Sequence, residues 1–295
     1  MEYYSLNKYL KEKFGSKVYK IALDGGFTCP NRDGRIGVGG CIFCSAEGSG
    51  NFAGNRNKTI KEQLDEGILK ISSKLPKEGD HKFIAYFQAF TNTYGPAGEL
   101  KRLYMEAAMH PQVKIISIAT RPDCLGEDVM KVLKEVNRIK PVWIELGLQT
   151  IHEKTAEYIR RGYPLSVYDD AVKRLRNAGI ETIVHVILGL PGEKREDMLR
   201  TVKYVGDSGV QGIKLQLLHV LKGTDLEQDY LKGTFSCLTM EEYISIVHEA
   251  LDMLPEDIVI HRMTGDGDKR ILIAPMWSAD KKRVLNALKE ELSIS

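Results

Sequence analysis

Six short runs rich in β-branched and aromatic residues recur along the chain, and polar stretches with helical character lie between them. This alternation is the pattern of strand, helix, strand units that build a parallel sheet. The intervening stretches are long enough for right-handed crossovers. A seventh short run, DIVIHRM, lies near the end. The six runs are KVYKIALD, KFIAYFQAF, VKIISIAT, VWIELGLQ, ETIVHVILG and GIKLQLLHV.

This strand count is short of a full eight-unit barrel, but a partial barrel uses the same packing. We therefore predict an α/β fold, a partial (β/α)6 barrel, with short N-terminal and C-terminal extensions. Linkers, low-complexity segments and repeats are not evident, so residues 1–295 are interpreted as a single domain. Its core barrel is predicted at about 18–222, and residues 1–17 and about 223–295 form the extensions.

Helix start signals support this reading. The Ser/Thr-x-x-acid spacing of a capping box occurs at three places, each followed by an amphipathic stretch. These pairs are Thr59 with Glu62, Ser166 with Asp169, and Thr239 with Glu242.

Charge and cysteine usage exclude several classes of protein. Lys and Arg total 42 against 40 for Asp and Glu, so net charge gives no general reason to expect nucleic-acid binding. The polar start has no apolar core of signal-peptide length, and no apolar run approaches the ~20 residues that span a bilayer. We expect a cytoplasmic protein without membrane association. Five cysteines, an odd number, make a disulfide framework unexpected in such a chain.

Three of these cysteines surround a glycine-rich loop. Cys41 and Cys44 form a Cys-x2-Cys pair, and Cys29 lies eleven intervening residues upstream. Structural zinc sites have four ligands, and no further His or Cys precedes His81 near the loop on the N-terminal half of the chain. A cubane iron-sulfur cluster can instead leave one iron open to a small molecule. Structural zinc and ordinary buried thiols remain alternatives.

The ordered motifs carry a resemblance that covers nearly the whole chain. The chain resembles radical S-adenosylmethionine (SAM) enzymes, with the usual three-residue gap between the first two cysteines enlarged to eleven. More narrowly, it is similar to the YtqA/YhcC (MnmL-like) group, which is related to the radical domain of Elongator's catalytic subunit. The motifs are CPNRDGRIGVGGCIFCS, YFQAFTNTY, SIATRPDCL, WIELGLQTIHEKT, RRGY, HVILGLPGE, LQLLHVLKGT and IHRMTGDG.

The resemblance implies two cofactors. Cys29, Cys41 and Cys44 match the ligands of a [4Fe-4S] cluster whose fourth iron is chelated by SAM. Electron transfer from such a cluster cleaves SAM to methionine and a 5′-deoxyadenosyl radical. Phe43 matches an aromatic residue whose backbone lies near adenine in relatives, and it can also simply pack under the loop.

The second strand departs from the superfamily pattern. Relatives usually end this strand in a glycine-rich stretch that receives the amino group of SAM, whereas this chain has FQAFTNT from Phe87 to Thr93. Backbone carbonyls can serve there, and Gln88, Asn92 and Thr93 are candidates for additional side-chain contacts.

Further SAM contacts are implied on the fourth and fifth strands. Strand alternation puts Glu145 and Gln149 on one face, and a buried acid at Glu145 suggests a polar barrel interior. The resemblance points to Gln149 and to Arg160 or Arg161 near the ribose and carboxylate, and we expect Arg160 to be a solvated surface charge. His185 occupies a position near the SAM hydroxyls in relatives, or is a satisfied core residue.

Polar residues end several predicted strands, at the edge where parallel sheets bind ligands. Arg121 is followed by Pro122, which favours an extended geometry there. Together with His219, Lys222 and the segment from His261 to Asp268, it predicts a cationic rim suited to an anionic substrate, although a mixed surface loop has the same composition. Arg121, His219 and Lys222 are the predicted substrate-side catalytic residues.

For the YtqA group, the resemblance implies conversion of 5-carboxymethylaminomethyl-uridine to 5-aminomethyl-uridine at the tRNA wobble position. The hypothesis is hydrogen abstraction beside the substrate carboxylate, with Arg121 holding that carboxylate. Implied partners are tRNA and an electron donor such as flavodoxin or ferredoxin. Alternatives are a radical enzyme with another substrate, or a non-catalytic RNA-binding protein with a structural metal.

Lysines near the start of the chain are candidates for tRNA contact. They could form a phosphate-tracking face or be merely solubilising. These residues are Lys8, Lys11, Lys13, Lys17 and Lys20.

Overall fold

The computed structural model describes residues 3–46, 48, 53–77, 79–265 and 267–294, with side chains described up to 291. Across these residues the main sheet has seven parallel strands in the order β1-β2-β3-β4-β5-β6-β8, and β7 and β9 form a separate antiparallel pair. The strands are β1 Val18–Leu23, β2 Lys82–Phe87, β3 Val113–Thr120, β4 Val142–Gln149, β5 Glu181–Leu188, β6 Gly212–Leu217, β7 Val220–Leu221, β8 Val259–Arg262 and β9 Leu272–Ala274.

Helices connect these strands and cover the outer face of the sheet, where they and the outward strand residues form the main apolar core. The predicted α/β partial barrel is confirmed, and all seven predicted strands are present. The helices are α1 Leu6–Phe14, α2 Ile60–Ile71, α3 Ala97–Met109, α4 Glu127–Asn137, α5 Glu153–Tyr158, α6 Leu165–Asn177, α7 Arg195–Asp207, α8 Asp225–Leu231, α9 Met240–Met253 and α10 Lys281–Ile294.

Contacts across the inner face show that the sheet is curled. Lys214 Nζ of β6 lies 3.2 Å from the Tyr86 hydroxyl oxygen of β2. Four strand spacings separate β2 from β6, about 19 Å in a flat sheet. The sheet therefore closes around an interior as a half-barrel.

Capping confirms two of the three predicted helix starts. Thr59 caps α2 and Thr239 caps α9, each in a complete capping box with Glu62 or Glu242. The third prediction is wrong, because α6 begins after Pro164 and places Ser166 within its first turn. Proline before the helix fixes an extended backbone there, so the start comes earlier than the Ser166 signal indicates.

Helix α1 closes the amino end of the half-barrel. Leu10 of α1 is buried against inward-facing apolar residues of the strands, with Leu6, Tyr9 and Phe14 packed around it. The chain before α1 is tied to β8, since the backbone N–H of Ile260 donates to the Tyr4 carbonyl at 2.8 Å. The strand residues beneath α1 are Ile84, Ile115, Trp143 and Ile183.

The C-terminal part of the chain contributes to the sheet. Strand β8 pairs with β6 through Ile213 with Ile260 and Lys214 with Arg262. The barrel therefore continues into residues predicted as the C-terminal extension. No helix within the described ranges is long and apolar enough to cross a membrane.

Candidate functional site

A cavity of about 300 Å³ opens at the carboxyl ends of the strands. This volume is at the lower end of the range of small-molecule sites. The structure brings most of the predicted site residues to its wall. Those that line it are Cys29, Cys41, Phe43, Cys44, Gln88, Arg121, Glu145, Gln149, Arg161, His185 and His219.

The cysteine loop is held in place by backbone hydrogen bonds and one buried amide. The N–H of Cys44 donates to the Cys41 carbonyl at 3.0 Å, which closes a tight turn. Asn31 Nδ2 donates to the Arg160 carbonyl at 2.5 Å and lies 3.5 Å from Cys41 Sγ. Ile42 packs in a small apolar cluster beneath the loop. The sulfur positions are therefore fixed by the fold on the side of α5.

A hydrogen bond between two of the thiols shifts their pKa values in opposite directions. The hydrogen bond from Cys44 outweighs burial and, with the charge of Arg121, lowers the pKa of Cys41 to about 7. The same hydrogen bond and burial raise the pKa of Cys44. Because the thiolate is the form that binds metals, Cys41 is disposed to act as a ligand.

The donor set fits the cluster that the resemblance implies. All three cysteines line one cavity. Among the described residues, no three His, Cys, Asp or Glu side chains converge as ligands of one metal ion would. A cubane cluster does not require such convergence, because each cysteine binds a different iron.

Gln149 supports a bound small molecule beside the cysteines. It ends β4 with φ +70°, a strained conformation that is uncommon outside functional sites. Its side-chain Oε1 is buried without a hydrogen-bond partner in the protein. Such atoms usually have a partner, so a ligand donor is expected here.

Arg121 is engaged within the protein. Its Nε and Nη2 donate to the two carboxylate oxygens of Asp123 at 2.9 and 2.7 Å. The guanidinium also lies 5.2 Å from the Tyr163 ring centroid and is largely buried. These two nitrogens are thus paired with Asp123, and a contact of Arg121 with a substrate carboxylate stays a prediction.

The two arginines after α5 differ as expected. Arg160 is half exposed and pairs with Asp225 at 2.5 Å. Arg161 is buried, with Nη1 donating to the Thr150 carbonyl at 2.6 Å and Nε to the Tyr163 carbonyl at 3.0 Å. It touches the cavity while supporting its wall, and a SAM contact from it stays a prediction.

Two residues predicted after β2 do not reach the cavity. Asn92 is fully buried, and its Nδ2 donates to the carbonyls of Phe87 and Ala119 at 3.2 and 3.0 Å. Thr93 Oγ1 donates to the Cys124 carbonyl at 2.6 Å. These side chains fix the loop and do not line the cavity, although Asn92 Oδ1 is buried without a hydrogen-bond partner in the protein, and a SAM contact from either residue stays a prediction.

The predicted rim is only partly assembled. His219 lines the cavity and lies close to Gly267, where an added Cβ would come within 2.5 Å of the imidazole. Lys222 is exposed and does not line the cavity, because the chain turns away through β7. Asp268 does line it and is paired with Arg270 at 2.6 Å, while Asp266 lies outside the described residues.

A charged layer in the barrel interior lies beneath the cavity, and the sequence reasoning found only part of it. Glu145 Oε1 accepts from Ser117 Oγ at 2.8 Å and from Lys20 Nζ at 3.3 Å. Its Oε2 accepts from His185 Nε2 at 2.9 Å and from Lys214 Nζ. Glu145 and Lys214 are fully buried, and Lys20 is about a quarter exposed. We name this set the interior layer: Lys20, Tyr86, Ser117, Glu145, His185, Lys214 and Arg262.

Burial shifts the titration of this layer. Burial opposes ionisation of Glu145, but Lys20 and Lys214 outweigh it and hold the Glu145 pKa well below its usual range. Burial, with the charges of Lys20 and Arg262, overcomes Glu145 and lowers the pKa of Lys214 to about 7. Burial and Lys214 likewise lower the pKa of His185 to about 4, so its imidazole is neutral.

Lys214 could have been found from strand alternation. Gly212, Lys214 and Gln216 share one face of GIKLQL, and the alternate residues of this strand enter the main core. Lys20, by contrast, was a candidate either for phosphate contact or for a merely solubilising surface charge, and the structure instead directs its amine to Glu145.

Comparison with known proteins agrees with this arrangement. Residues 31–205 match the model of the Radical SAM superfamily, and residues 210–293 match that of the Radical_SAM C-terminal domain. The archaeal Elp3 of Methanocaldococcus infernus, with an N-terminal deletion, superposes with a TM-score of 0.69 at 16% identity, over 93% of this chain and 63% of that chain.

Curated relatives extend the match. YtqA of Bacillus subtilis is 47% identical over 98% of this chain and 89% of its own length. A tRNA uridine(34) acetyltransferase of Methanocaldococcus jannaschii is 26% identical over 57% of this chain and 31% of its own length. The predicted relationship is confirmed: the chain belongs to the radical SAM superfamily, and it is an enzyme whose cofactors are a [4Fe-4S] cluster and SAM.

Proposed function

We propose that this enzyme modifies the wobble uridine of tRNA, converting 5-carboxymethylaminomethyl-uridine to 5-aminomethyl-uridine. The observation that carries the proposal is the cavity itself, which joins a three-cysteine wall to a buried interior rich in positive charge. The kinship with a tRNA uridine(34) acetyltransferase supports tRNA as substrate. The carboxylated side chain suits a cationic interior.

When bound, the cofactors supply a 5′-deoxyadenosyl radical. Cys29, Cys41 and Cys44 would hold the cluster, and Gln149 has a buried acceptor for a donor group of SAM. His185 donates from Nε2 to Glu145, which leaves Nδ1 as the acceptor of this neutral ring at the cavity wall. Its expected partner is a hydroxyl group.

The proposed reaction removes two electrons from the substrate side chain. A hydrogen atom leaves the methylene between the amine and the carboxylate for the deoxyadenosyl radical. A one-electron acceptor would take a further electron and a proton would leave, which gives an imine. Water adds to the imine carbon, and C–N cleavage releases glyoxylate and the aminomethyl group.

The test is mass spectrometry of wobble nucleosides. Reconstituted protein is incubated anaerobically with SAM, reductant and tRNA carrying 5-carboxymethylaminomethyl-uridine, deuterated at the methylene beside the carboxylate. We expect 5-aminomethyl-uridine, and deuterium in 5′-deoxyadenosine. Cys41→Ala should abolish both, whereas Cys237→Ala, outside the cavity lining, should retain them.

Production of 5′-deoxyadenosine without any change in the nucleoside would reject this substrate. It would favour the alternative of a radical SAM enzyme with a different substrate. The alternative of a non-catalytic RNA-binding protein is wrong, since the chain belongs to an enzyme superfamily.

Contact with tRNA through the N-terminal lysines stays a proposal, but only some of the five lysines suit it. Lys13 pairs with Glu181 at 2.6 Å and Lys20 faces the interior, which leaves Lys8, Lys11 and Lys17 at the surface. Helix α1 lies at the amino end of the barrel, opposite the cavity mouth. These lysines could therefore contact only a part of tRNA remote from the reacting base.

A further inference from the structure

The last residue of β4 is held in a turn that ordinary side chains avoid. The backbone N–H of Thr150 donates to the Leu148 carbonyl at 2.9 Å, so a three-residue turn is centred on Gln149. Gln149 has φ +70° there, which is the rare and strained form of the γ-turn. Strain of this kind persists only where the surrounding structure fixes the backbone. The contacts around the turn therefore decide whether Gln149 keeps its position.

The Gln149 amide lies inside the cavity. An added Cβ on Gly147 would lie 2.9 Å from Gln149 Nε2, so the amide folds back over this glycine along the strand. Its Oε1 is buried and accepts no hydrogen bond from any described residue. A buried acceptor without a partner is unfavourable, so the protein alone gains nothing from this arrangement. A ligand donor in the cavity would satisfy the acceptor.

One segment holds the backbone on both sides of the turn. Arg161 Nη1 donates to the Thr150 carbonyl at 2.6 Å, and the Tyr163 hydroxyl donates to the Gly147 carbonyl. Arg161 Nε also donates to the Tyr163 carbonyl at 3.0 Å, which joins the two contacts. Arg161 is only 2% exposed, so water competes little for these hydrogen bonds. The strand is thereby fixed before and after Gln149.

A second contact reaches the turn from the loop after β5. Thr150 is fully buried, and its Oγ1 donates to Oε1 of Glu193, 43 residues later in the chain, at 2.5 Å. The same hydroxyl oxygen accepts from the backbone N–H of His152 at 3.1 Å. Neither Thr150 nor Glu193 lines the cavity. They are therefore placed to act on the turn and not on a ligand.

We propose that Thr150 and Glu193 are positioning residues for SAM, because they hold the strained turn that directs the Gln149 amide to the cofactor. This inference rests on the proposed contact of Gln149 with SAM and extends it to two residues outside the cavity. Without the hydrogen bond between them, the strained backbone would relax in most molecules. The apparent affinity for SAM would then fall by the fraction that keeps the turn.

The test is SAM binding to reconstituted protein, measured anaerobically by equilibrium dialysis without reductant or RNA. Thr150→Val replaces the hydroxyl by a methyl group of similar size and should weaken SAM binding about 10-fold, with unchanged iron content. Thr150→Ser keeps the hydroxyl and should retain the wild-type affinity. Thr182→Val changes a similarly buried threonine at the amino end of β5 and should bind SAM as wild type does.

A double-mutant cycle distinguishes positioning from a general loss of structure. Gln149→Ala removes the amide and should weaken SAM binding at least as much as Thr150→Val. In the Gln149→Ala background, Thr150→Val should change the affinity by less than about twofold, because the residue through which it acts is absent. Equal weakening in both backgrounds would overturn the inference, as would wild-type affinity of either single variant. If Thr150→Val does not fold, Glu193→Ala, at a partly exposed position, takes its place in the same cycle.

The strain in the turn gives a readout that needs no SAM. Glycine adopts a positive φ readily, so Gln149→Gly should unfold at a higher urea concentration than Gln149→Ala. An equal or reversed order would overturn the inference. None of these measurements uses tRNA, so their failure would leave the proposed substrate standing. The expected SAM affinities without nucleoside conversion would retain the positioning role and reject that substrate.

Discussion

Lys214 should make the stability of this enzyme depend on pH in the alkaline range. Its folded-state pKa of about 7 lies below the value of 10.5 for an ordinary lysine. Between these values the unfolded chain binds a proton that the folded protein does not, so stability rises as pH rises. Lys214→Met removes this contribution and leaves the other titrating groups in place.

The size of the effect follows from the shift. Between pH 7.5 and 9.0 the unfolded lysine stays protonated, and the folded one is mostly neutral already. One proton difference over this interval amounts to about 2 kcal/mol in the free energy of unfolding. Wild type should therefore gain about 2 kcal/mol more than Lys214→Met as the pH is raised from 7.5 to 9.0.

The assay is urea unfolding of cluster-loaded protein under anaerobic conditions, followed by tryptophan fluorescence. Trp143 is fully buried in the barrel interior and should report the loss of this layer. Lys203→Met, the same substitution on the exposed surface of α7, serves as the control and should follow wild type. Equal pH dependence of wild type and Lys214→Met would show that Lys214 is charged in the folded protein, and would refute the reasoning.

Three further substitutions test other parts of the structure. Asn31→Leu removes the amide at Cys41, so we expect stability to fall by about 1–3 kcal/mol and iron content after reconstitution to fall with it. Gly267→Ala should displace His219 and lower kcat/KM for tRNA about 10-fold or more, with SAM cleavage retained in the absence of tRNA. Thr239→Ala removes the capping box of α9 and should lower stability by about 1 kcal/mol in thermal denaturation, with unchanged activity.

Local sequence patterns predicted the elements of the fold well. The strands follow from short β-branched runs, and Thr59 and Thr239 begin helices because their side chains satisfy free backbone N–H groups. Ser166 has the same spacing, but Pro164 starts the helix earlier. Where two local signals compete, spacing alone does not decide between them.

The proximity of two of the cysteines was predictable for a related reason. Cys41 and Cys44 are neighbours in sequence, so a tight turn brings them together whatever the rest of the chain does. Residues farther along the loops were less predictable. Asn92 and Lys222 both follow strands, yet one folds back onto backbone carbonyls and the other is carried outward by β7.

The interior layer could not be predicted without knowing how the sheet curls. Lys20 and Lys214 come from the first and the sixth strand, and each reads in sequence as an ordinary lysine beside apolar residues. Their meeting at Glu145 depends on how strongly the sheet curls, which no local pattern encodes. Glu145 and His185 were recognised in sequence, but a buried acid demands partners that it does not itself identify.

The closed amino end of the barrel affects the residues beneath the cavity at its other end. Leu10 and Trp143 exclude water from below the interior layer, and this exclusion is the reason that Lys214 gives up its proton so readily. Were the amino end open, water would solvate Lys214 and its pKa would lie nearer the ordinary value for lysine. The apolar helix at one end of the barrel therefore influences the protonation state of a lysine beneath the cavity at the other end.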